Sequence, residues 1–362
     1  MTFKQYKNGI PVIEATNAEN FEVSDSITVE DSVTVQNSIT VEDSVTVQNS
    51  ITVEEIYTRF DAPLLVAVQT SSGSGMASTS SDDGATWTEF DTGLAPFTRI
   101  AYGNGKFVAL GSYSNNMGNG YVAYSTDAIT WTESFSLPGM VGRSVTHGDG
   151  KFVAVAYQDA DAAYSTDGIT WTQTTLPGIH KWQSVTHGDG KFVAVAYQTT
   201  VAAYSTDGIT WTASALPASP IWFFVHHGDG KFVAVAYNSS TAAYSTDGIT
   251  WTQTAMPTSS GWRSVAYGSG NFVATSDNST AAHSTDGITW TQITMPGSGV
   301  YSWYALVHNG RRFFAARQDG VAAYSTDGTA WTEVTTMTNR AWVGLASGIG
   351  NRIAKINSLI YP

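Results

Sequence analysis

Short runs of alternating apolar and polar residues, separated by glycine-bearing turns, dominate most of this chain. From residue 143 the pattern predicts four strands, over 143–147, 151–157, 162–165 and 169–172. Glycine-bearing turns join antiparallel neighbours, so the unit predicts a four-stranded antiparallel sheet. No long stretch has apolar residues at the helical period of 3.6. The pattern therefore predicts an all-β protein.

The unit recurs along the chain. Its clearest stretch, YSTDGITWT at 164–172, has close or looser copies at 81–87, 125–131, 204–212, 244–252, 284–290 and 325–331. The seven tryptophans of these copies lie 39 to 44 residues apart. A fixed period of this length is typical of β-propellers, so residues 56–362 are predicted to form a seven-bladed ring. A strand before the first copy and a strand after the last are expected to share one blade and close it.

A second, shorter repeat precedes the ring. Hexads such as SITVED and SVTVQN run through residues 25–55, each with β-branched residues followed by polar turn formers. Strands this short bury too little apolar area alone, so we favour a homotrimeric β-stem of intertwined chains. The alternatives are a flexible polar linker and pairing onto another protein's sheet. Residues 1–24 do not repeat, and are interpreted as a docking segment that orders on a partner or as a frayed terminus.

The composition restricts the kinds of partner that the protein is expected to have. The formal net charge is -13, and no basic cluster stands out beyond Arg311-Arg312, so nucleic acid is disfavoured. No cysteine is present to form disulfides or thiolate metal sites. The first residues lack the apolar core of a signal peptide, and no run approaches about 18 apolar residues, so we expect no membrane insertion. No cofactor and no metal is expected.

The recurring stretch resembles the Asp box of sialidases and related BNR-type propellers, S-x-D-x-G-x-T-W. Residues 80–87 have that full spacing, and the other six copies are one residue shorter. The resemblance implies a structural role, away from any active site, for the box aspartates Asp83, Asp127, Asp167, Asp207, Asp247, Asp286 and Asp327. In the second box Ala128 replaces the glycine, so that turn is expected to be strained or differently shaped.

The resemblance also implies what a sialidase would need: three arginines for the substrate carboxylate, a Tyr/Glu nucleophile pair and a general acid. Arg99, Arg143 and Arg263 begin three of the blades, but no matching acidic partners are evident and the N-terminal Arg-Ile-Pro signature is absent. An active site also needs chemically different side chains close together, and near-identical blades do not provide them. We therefore predict that the chain is not an enzyme and has no catalytic residues.

One register of the repeat is aromatic in six of seven copies. Counting back from the first turn, it reads Phe97, Gly142, Trp182, Trp222, Trp262, Trp303 and Trp342. Together with Arg143 and Arg263, these tryptophans are candidate ligand contacts, since indole faces stack on sugars and the loops beside them vary. The other interpretation is that they wedge between blades.

Histidine also recurs at one register, as His147, His187, His227 and His308. Each imidazole is expected to cap its own Gly-Asp-Gly turn. The alternative is a metal held across the ring.

The order of docking segment, stem and disc predicts a phage-type tail fibre or receptor-binding protein. Its expected partners are two further copies of itself, a virion tail or baseplate protein at the N-terminus, and a host-surface glycan or protein. The expected location is the virion. The alternatives are a free lectin-like or protein-scaffolding propeller, cytoplasmic or non-classically secreted, and a glycosidase.

Overall fold

The computed structural model describes side chains in residues 64–348, apart from 71–74, 113–119, 135–141, 158–160, 298–301 and 335–340. Beyond these residues it describes only the backbone of strands. The chain divides into two compact units, Met1–Ala62 with Ile349–Pro362, and Pro63–Gly348.

The second unit is a seven-bladed β-propeller of four-stranded antiparallel blades. Six blades are continuous in sequence. The first two are β10 (Phe97–Gly103), β11 (Lys106–Ser112), β12 (Asn119–Ser125), β13 (Thr132–Pro138); and β14 (Val141–Gly148), β15 (Lys151–Tyr157), β16 (Asp159–Ser165), β17 (Thr172–His180). The next two are β18 (Trp182–Gly188), β19 (Lys191–Ala196), β20 (Val201–Ser205), β21 (Thr212–Ala215); and β22 (Ile221–Gly228), β23 (Lys231–Tyr237), β24 (Ser239–Ser245), β25 (Thr252–Ser260). The last two are β26 (Trp262–Gly268), β27 (Asn271–Ser276), β28 (Thr280–Ser284), β29 (Thr291–Thr294); and β30 (Trp303–His308), β31 (Phe313–Arg317), β32 (Ala322–Ser325), β33 (Thr332–Val334).

The seventh blade uses both ends of the ring, as the sequence predicts. Its strands are β34 (Trp342–Lys355), β7 (Ile51–Gln69), β8 (Met76–Ser80) and β9 (Thr88–Asp91), with β34 paired to β7. The C-terminal strand thus takes the first position of the blade and the N-terminal strands take the other three. This arrangement closes the ring and leaves only short edges.

Apolar contacts between neighbouring blades form the core. The second strand of a blade, such as β15, is buried along five consecutive residues because it has a blade on each side. One core cluster joins Val193 and Leu216 of one blade to Trp222 and Phe232 of the next. Backbone amides also cross the seams, as where Val185 N donates to Ser144 Oγ at 3.1 Å.

The recurring box forms a turn and not the predicted start of the fourth strand. Asp167 Oδ1 accepts hydrogen bonds from the amides of Ile169 (2.8 Å) and Thr170 (2.7 Å) and from the hydroxyl of Ser165 (2.9 Å). These bonds draw residues 166–171 into a tight loop. The strand predicted over 169–172 therefore begins only at Thr172 and runs on to His180.

Two of the boxes differ from the others, the first in its capping residue and the second in lacking the glycine. In the first box the capping carboxylate is Asp82 and not Asp83: Asp82 Oδ1 accepts from the amide of Thr86 at 2.9 Å. Asp83 instead bonds Arg311 Nη1 at 3.1 Å. In the second box Ala128 has φ 60, the left-handed region where other boxes use glycine, so this turn keeps its shape with strained backbone.

The N-terminal strands are described at the backbone alone. They are β1 (Gln5–Lys7), β2 (Ile10–Ile13), β3 (Asn17–Val23), β4 (Ser26–Val29), β5 (Val33–Val41), β6 (Ser44–Val47) and the first part of β7. Within one chain, β4 pairs in parallel with β6, Ser26 facing Ser44, which is three hexads further on. The side chains of the predicted docking segment 1–24 and trimeric stem 25–55 lie outside the described residues, so the trimer stays a prediction. In the part of the chain whose placement is described, no helix has the length and apolarity needed to cross a membrane.

Candidate binding mouth

The first strands of all seven blades line a central cavity of about 370 Å³. In six blades one end of this strand leads into the tight turn to the second strand, which is Gly-Asp-Gly in three of them, and the other end follows the loop from the previous blade. We call these the turn end and the mouth end. At the mouth end a smaller cavity of about 200 Å³ is lined by Arg99, Arg143 and Arg263, with Phe223 and Tyr304. This cavity is called the mouth below.

In six of the blades a β-bulge lies near the start of the first strand and aims a side chain at the mouth. In β18, Trp182 pairs with Ala196 but Ser184 pairs with Val195, so Gln183 is an extra residue. Register shifts occur at the same position in six blades, and an extra residue of this kind re-aims a side chain. The residues at this bulge position are Thr98, Arg143, Gln183, Phe223, Arg263 and Tyr304. These side chains differ in charge and size, whereas the strands that carry them repeat.

Arg263 is held by a carboxylate. Its Nε and Nη2 lie 2.7 and 3.3 Å from the two oxygens of Asp277, a bidentate pair in which both side chains are largely buried. The guanidinium also lies over the rings of Tyr237 and Tyr304, each 4.4 Å from the ring centroid. One of the three arginines therefore has an acidic partner that the sequence did not reveal.

Arg143 and Arg99 have no carboxylate partner among the described residues. Arg143 Nε donates to Gln183 Oε1 at 3.1 Å, and Arg99 Nη1 donates to the carbonyls of Thr98 (2.8 Å) and Val343 (3.3 Å). Burial lowers the pKa of Arg99 to about 9, and the positive charges of Arg143 and Arg263 act in the same direction. With this pKa Arg99 stays charged at neutral pH, and the loss of water around its guanidinium is the main cause of the lowered value.

The structure buries the five candidate tryptophans. Trp182, Trp222, Trp262, Trp303 and Trp342 are all 0% exposed, and so is Phe97. The indole of Trp222 packs between two blades, and its Nε1 donates to the carbonyl of Ala218 at 3.0 Å. As placed, these rings offer no face to a ligand and occupy the wedge position between blades. Of the predicted ligand contacts, Arg143 and Arg263 come together at the mouth.

At the turn end, the recurring histidines cross the seams between blades. The Nε2 atoms of His187 and His227 lie 3.0 Å from carboxylate oxygens of Asp149 and Asp189, which belong to the turn of the preceding blade. The expectation that each imidazole caps its own turn is therefore wrong for His187 and His227, whereas His308 Nδ1 accepts from the amide of Gly310 in its own turn at 3.1 Å. Among the residues that the structure describes, no three His, Cys, Asp or Glu side chains gather as a metal site.

Below the mouth, His226 lines the central cavity. Burial lowers its pKa to about 4, and the neighbouring His227 adds to this effect. The imidazole is therefore neutral at physiological pH.

Comparison with known proteins identifies the fold only. No protein-family model matches the sequence, and no curated protein matches it. Among solved structures, streptogramin B lyase has a TM-score of 0.61 at 12% identity, covering 72% of this chain and 92% of that chain. Virginiamycin B lyase from Staphylococcus aureus gives 0.60 at 13%, covering 72% and 93%. YCF48 bound to D1 peptide gives 0.53 at 15%, covering 67% and 82%.

These likenesses correct one prediction. The exclusion of enzyme activity is wrong, because the propellers that this chain resembles include streptogramin B lyase, an enzyme. Repetition of blades does not prevent catalysis, since residues at a few bulge positions can differ while the frame repeats. At these identities the likeness concerns the fold, which does not by itself fix enzymatic status.

Proposed function

We propose that this protein is a recognition propeller whose mouth binds the carboxylate of an acidic surface glycan. The observation that supports this most is the pair Arg99 and Arg143, two half-buried guanidinium groups without a carboxylate partner among the described residues. A charge partly removed from water is stabilised by a partner of opposite charge, so the mouth suits an anion. Guanidinium groups match the planar, two-oxygen geometry of a carboxylate.

The surroundings favour a sugar that carries the carboxylate. Tyr304, which is only partly buried, lines the mouth beside the arginines, and an aromatic ring can pack against the C–H face of a sugar ring. The formal net charge of the whole chain is -13, so an acidic ligand is repelled elsewhere and attracted here. Local charge thus favours this one end of the ring.

The test is a matched pair of ligands, galacturonic acid and galactose, titrated into the full-length protein by calorimetry. We expect binding of the acid and not of the neutral sugar. Arg143→Gln and Arg99→Gln should each weaken binding by about tenfold or more, since a charge-assisted hydrogen bond contributes about 1.5–3 kcal/mol. Arg311→Gln is the control, because Arg311 is 71% exposed and pairs with Asp83. Equal binding of both sugars, or arginine variants without effect, would overturn the proposal.

In its finer form, the proposal makes this propeller the head of a phage-type receptor-binding fibre. Support comes from the sequence, in the order of segment 1–24, hexads 25–55 and ring. The hexad stem would hold three chains together, the N-terminus would dock to a virion tail or baseplate protein, and the three mouths would gain avidity on a host surface. Light scattering should give a trimer for the intact chain and a monomer for a chain starting at residue 56. A monomeric intact chain would remove the fibre assignment.

A free lectin-like or scaffolding propeller is the second candidate. YCF48, similar in fold, is known in a complex with D1 peptide, so propellers of this shape also bind peptides. This candidate predicts a monomer.

Catalytic turnover is tested separately. Mass spectrometry of the sugar after incubation with the protein would detect a new product, which would add catalysis to binding.

A further inference from the structure

A second cavity lies where the end of β17 leads into β18, next to the loop that follows β19. It has a volume of about 390 Å³ and is lined by Ile179, His180, Lys181, Tyr197, Gln198 and Thr199. All of these except Ile179 carry hydrogen-bonding side chains. We call this cavity the groove.

A line of alternating cations and aromatic rings joins the groove to the mouth. Arg263 and Arg143 both lie over Phe223, with Cζ 5.2 and 5.9 Å from the ring centroid. Arg143 Cζ lies 5.6 Å from the centroid of Tyr157, and Lys181 Nζ lies 5.5 Å from the same centroid. The separation of Arg143 and Lys181 therefore cannot exceed the sum of these two distances. Lys181 in turn lies 5.6 Å from the ring of Tyr197, at the groove.

Lys181 is a departure from the repeat. The equivalent residues before the wedge tryptophans of the next two blades are Ile221 and Gly261, neither of them charged. No described carboxylate lies within ion-pair distance of Lys181. Repeat positions that only hold blades together are alike, so a single uncompensated cation beside the mouth is a candidate for ligand contact.

We propose that the mouth and the groove form one extended site for an acidic oligosaccharide. This rests on the proposed function and adds to it. One carboxylate of the oligosaccharide binds Arg99 and Arg143, and a second carboxylate, on a linked sugar, reaches Lys181. The hydroxyls of that sugar meet the polar lining of the groove, including Gln198 and Thr199.

The lining favours a sugar chain over an acidic peptide. A peptide would offer its carboxylates equally well, but its apolar side chains would find only the exposed Ile179 in the groove. A hydroxylated ligand matches donors and acceptors on every other lining residue. Charge and polarity together therefore select a carboxylated oligosaccharide.

The experiment is a length series, mono- to tetragalacturonic acid, titrated by calorimetry into the full-length protein. We expect the affinity to rise by about tenfold or more from the monosaccharide to the longer chains, as a second charged contact forms. Lys181→Gln and Tyr197→Ala should remove most of this rise while changing the monosaccharide affinity by less than about twofold. Lys191→Gln, on the same blade at the turn end, is the matched control and should leave the whole series unchanged.

The outcomes separate this inference from the proposed function. If Arg143→Gln weakens every ligand but affinity does not rise with length, or Lys181→Gln has no effect on the rise, the extended site is wrong and the mouth survives. If galacturonic acid does not bind at all, the proposed function fails first. Tight binding of oligoglutamate, with no gain for the sugar series, would overturn the sugar assignment in favour of an acidic peptide.

Discussion

The two ends of the same seven strands follow opposite rules. At the turn end, the position before the turn is Tyr102, His147, His187, His227, Tyr267 or His308 in six blades, always a flat ring. Each of these rings lies against a glycine of the preceding blade, where a Cβ would come within about 2 Å of the ring. At the mouth end, the bulge residues of the same blades range from arginine to phenylalanine.

The difference teaches which residues hold the ring and which act on other molecules. Flat rings and small glycines are repeated because every seam between blades needs the same close approach. The bulge residues have no such common partner and differ from blade to blade; two of them, Arg143 and Arg263, meet Arg99 in one cavity. Regularity thus indicates packing, and departure from it indicates recognition.

The largest expected effect tests the boundary between the two ends. Trp222 lies next to the mouth residue Phe223 but is 0% exposed between two blades. Trp222→Ala should lower the free energy of unfolding by about 3–5 kcal/mol, as for other buried large aromatics. Denaturant unfolding measures this change, with Ile129→Ala at an exposed apolar site as control. A loss below about 1 kcal/mol would mean that the indole is not a wedge.

Two glycines of one turn test whether the ring of the next blade packs directly against a glycine. A Cβ on Gly188 would lie 1.9 Å from Cγ of His227, whereas a Cβ on Gly190 meets nothing within 4 Å. Gly188→Ala should destabilise by about 2–3 kcal/mol through overpacking. Gly190→Ala should cost about 1 kcal/mol for its positive φ alone. Equal losses in thermal unfolding would show that the ring does not rest on the glycine.

The loss of folding stability at acid pH tests the box turns, which lie at the turn end. Burial alone would raise the pKa of Asp167, but hydrogen bonds from Ile169, Thr170 and Ser165 outweigh it and lower the pKa to about 2; Asp247 has the same environment and a pKa of about 2. A carboxylate whose pKa is depressed on folding stabilises the fold above its unfolded pKa, near 3.8. This contribution is lost as the pH falls from 3.8 towards 2.

The variant Asp167→Asn/Asp247→Asn should therefore be less stable than the natural protein at neutral pH and lose less stability over this acid range. Thermal melts at several pH values provide the measurement. Parallel pH curves for the two proteins would contradict the box geometry.

The smallest effect concerns the one box without glycine. Ala128 has φ 60, and Ala128→Gly would relieve about 1–2 kcal/mol of strain. It would also lose about 0.5–1 kcal/mol to backbone entropy, and some contact of a buried methyl. The net change in unfolding free energy should stay within about 1 kcal/mol. Gly168→Ala should destabilise more, because its Cβ would lie 3.0 Å from Val108 Cγ2. The reverse order in denaturant unfolding would contradict the assigned turn conformation.

Repetition made the ring predictable, and departures from it made the site difficult to predict. The period of the box tryptophans is enough to predict seven blades, and the strands before the first box and after the last are enough to predict closure by both chain ends. The bulge beside Trp182 was missed because simple strand alternation gives no sign of one extra residue. The pairing of Arg263 with Asp277 was missed because a tyrosine stands at the equivalent position, Tyr237, of the blade before.

A clue to the mouth was nevertheless in the sequence. Gln183, Phe223 and Arg263 follow three wedge tryptophans, and each is a different residue in an otherwise repeated strand. Divergence at that register was a stronger sign of function than the conspicuous tryptophans. Burial explains why: the large, shared residue is the one that the fold needs.

The most direct test of the account follows the Nε–H signals of the arginines by NMR as galacturonic acid is added to the full-length protein. The account predicts that the signals of Arg99 and Arg143 shift in a saturable way while that of Arg311, at the turn end, stays unchanged. Saturable shifts confined to the turn end, or no arginine shift at any sugar concentration, would contradict the claim that the mouth is where this propeller binds.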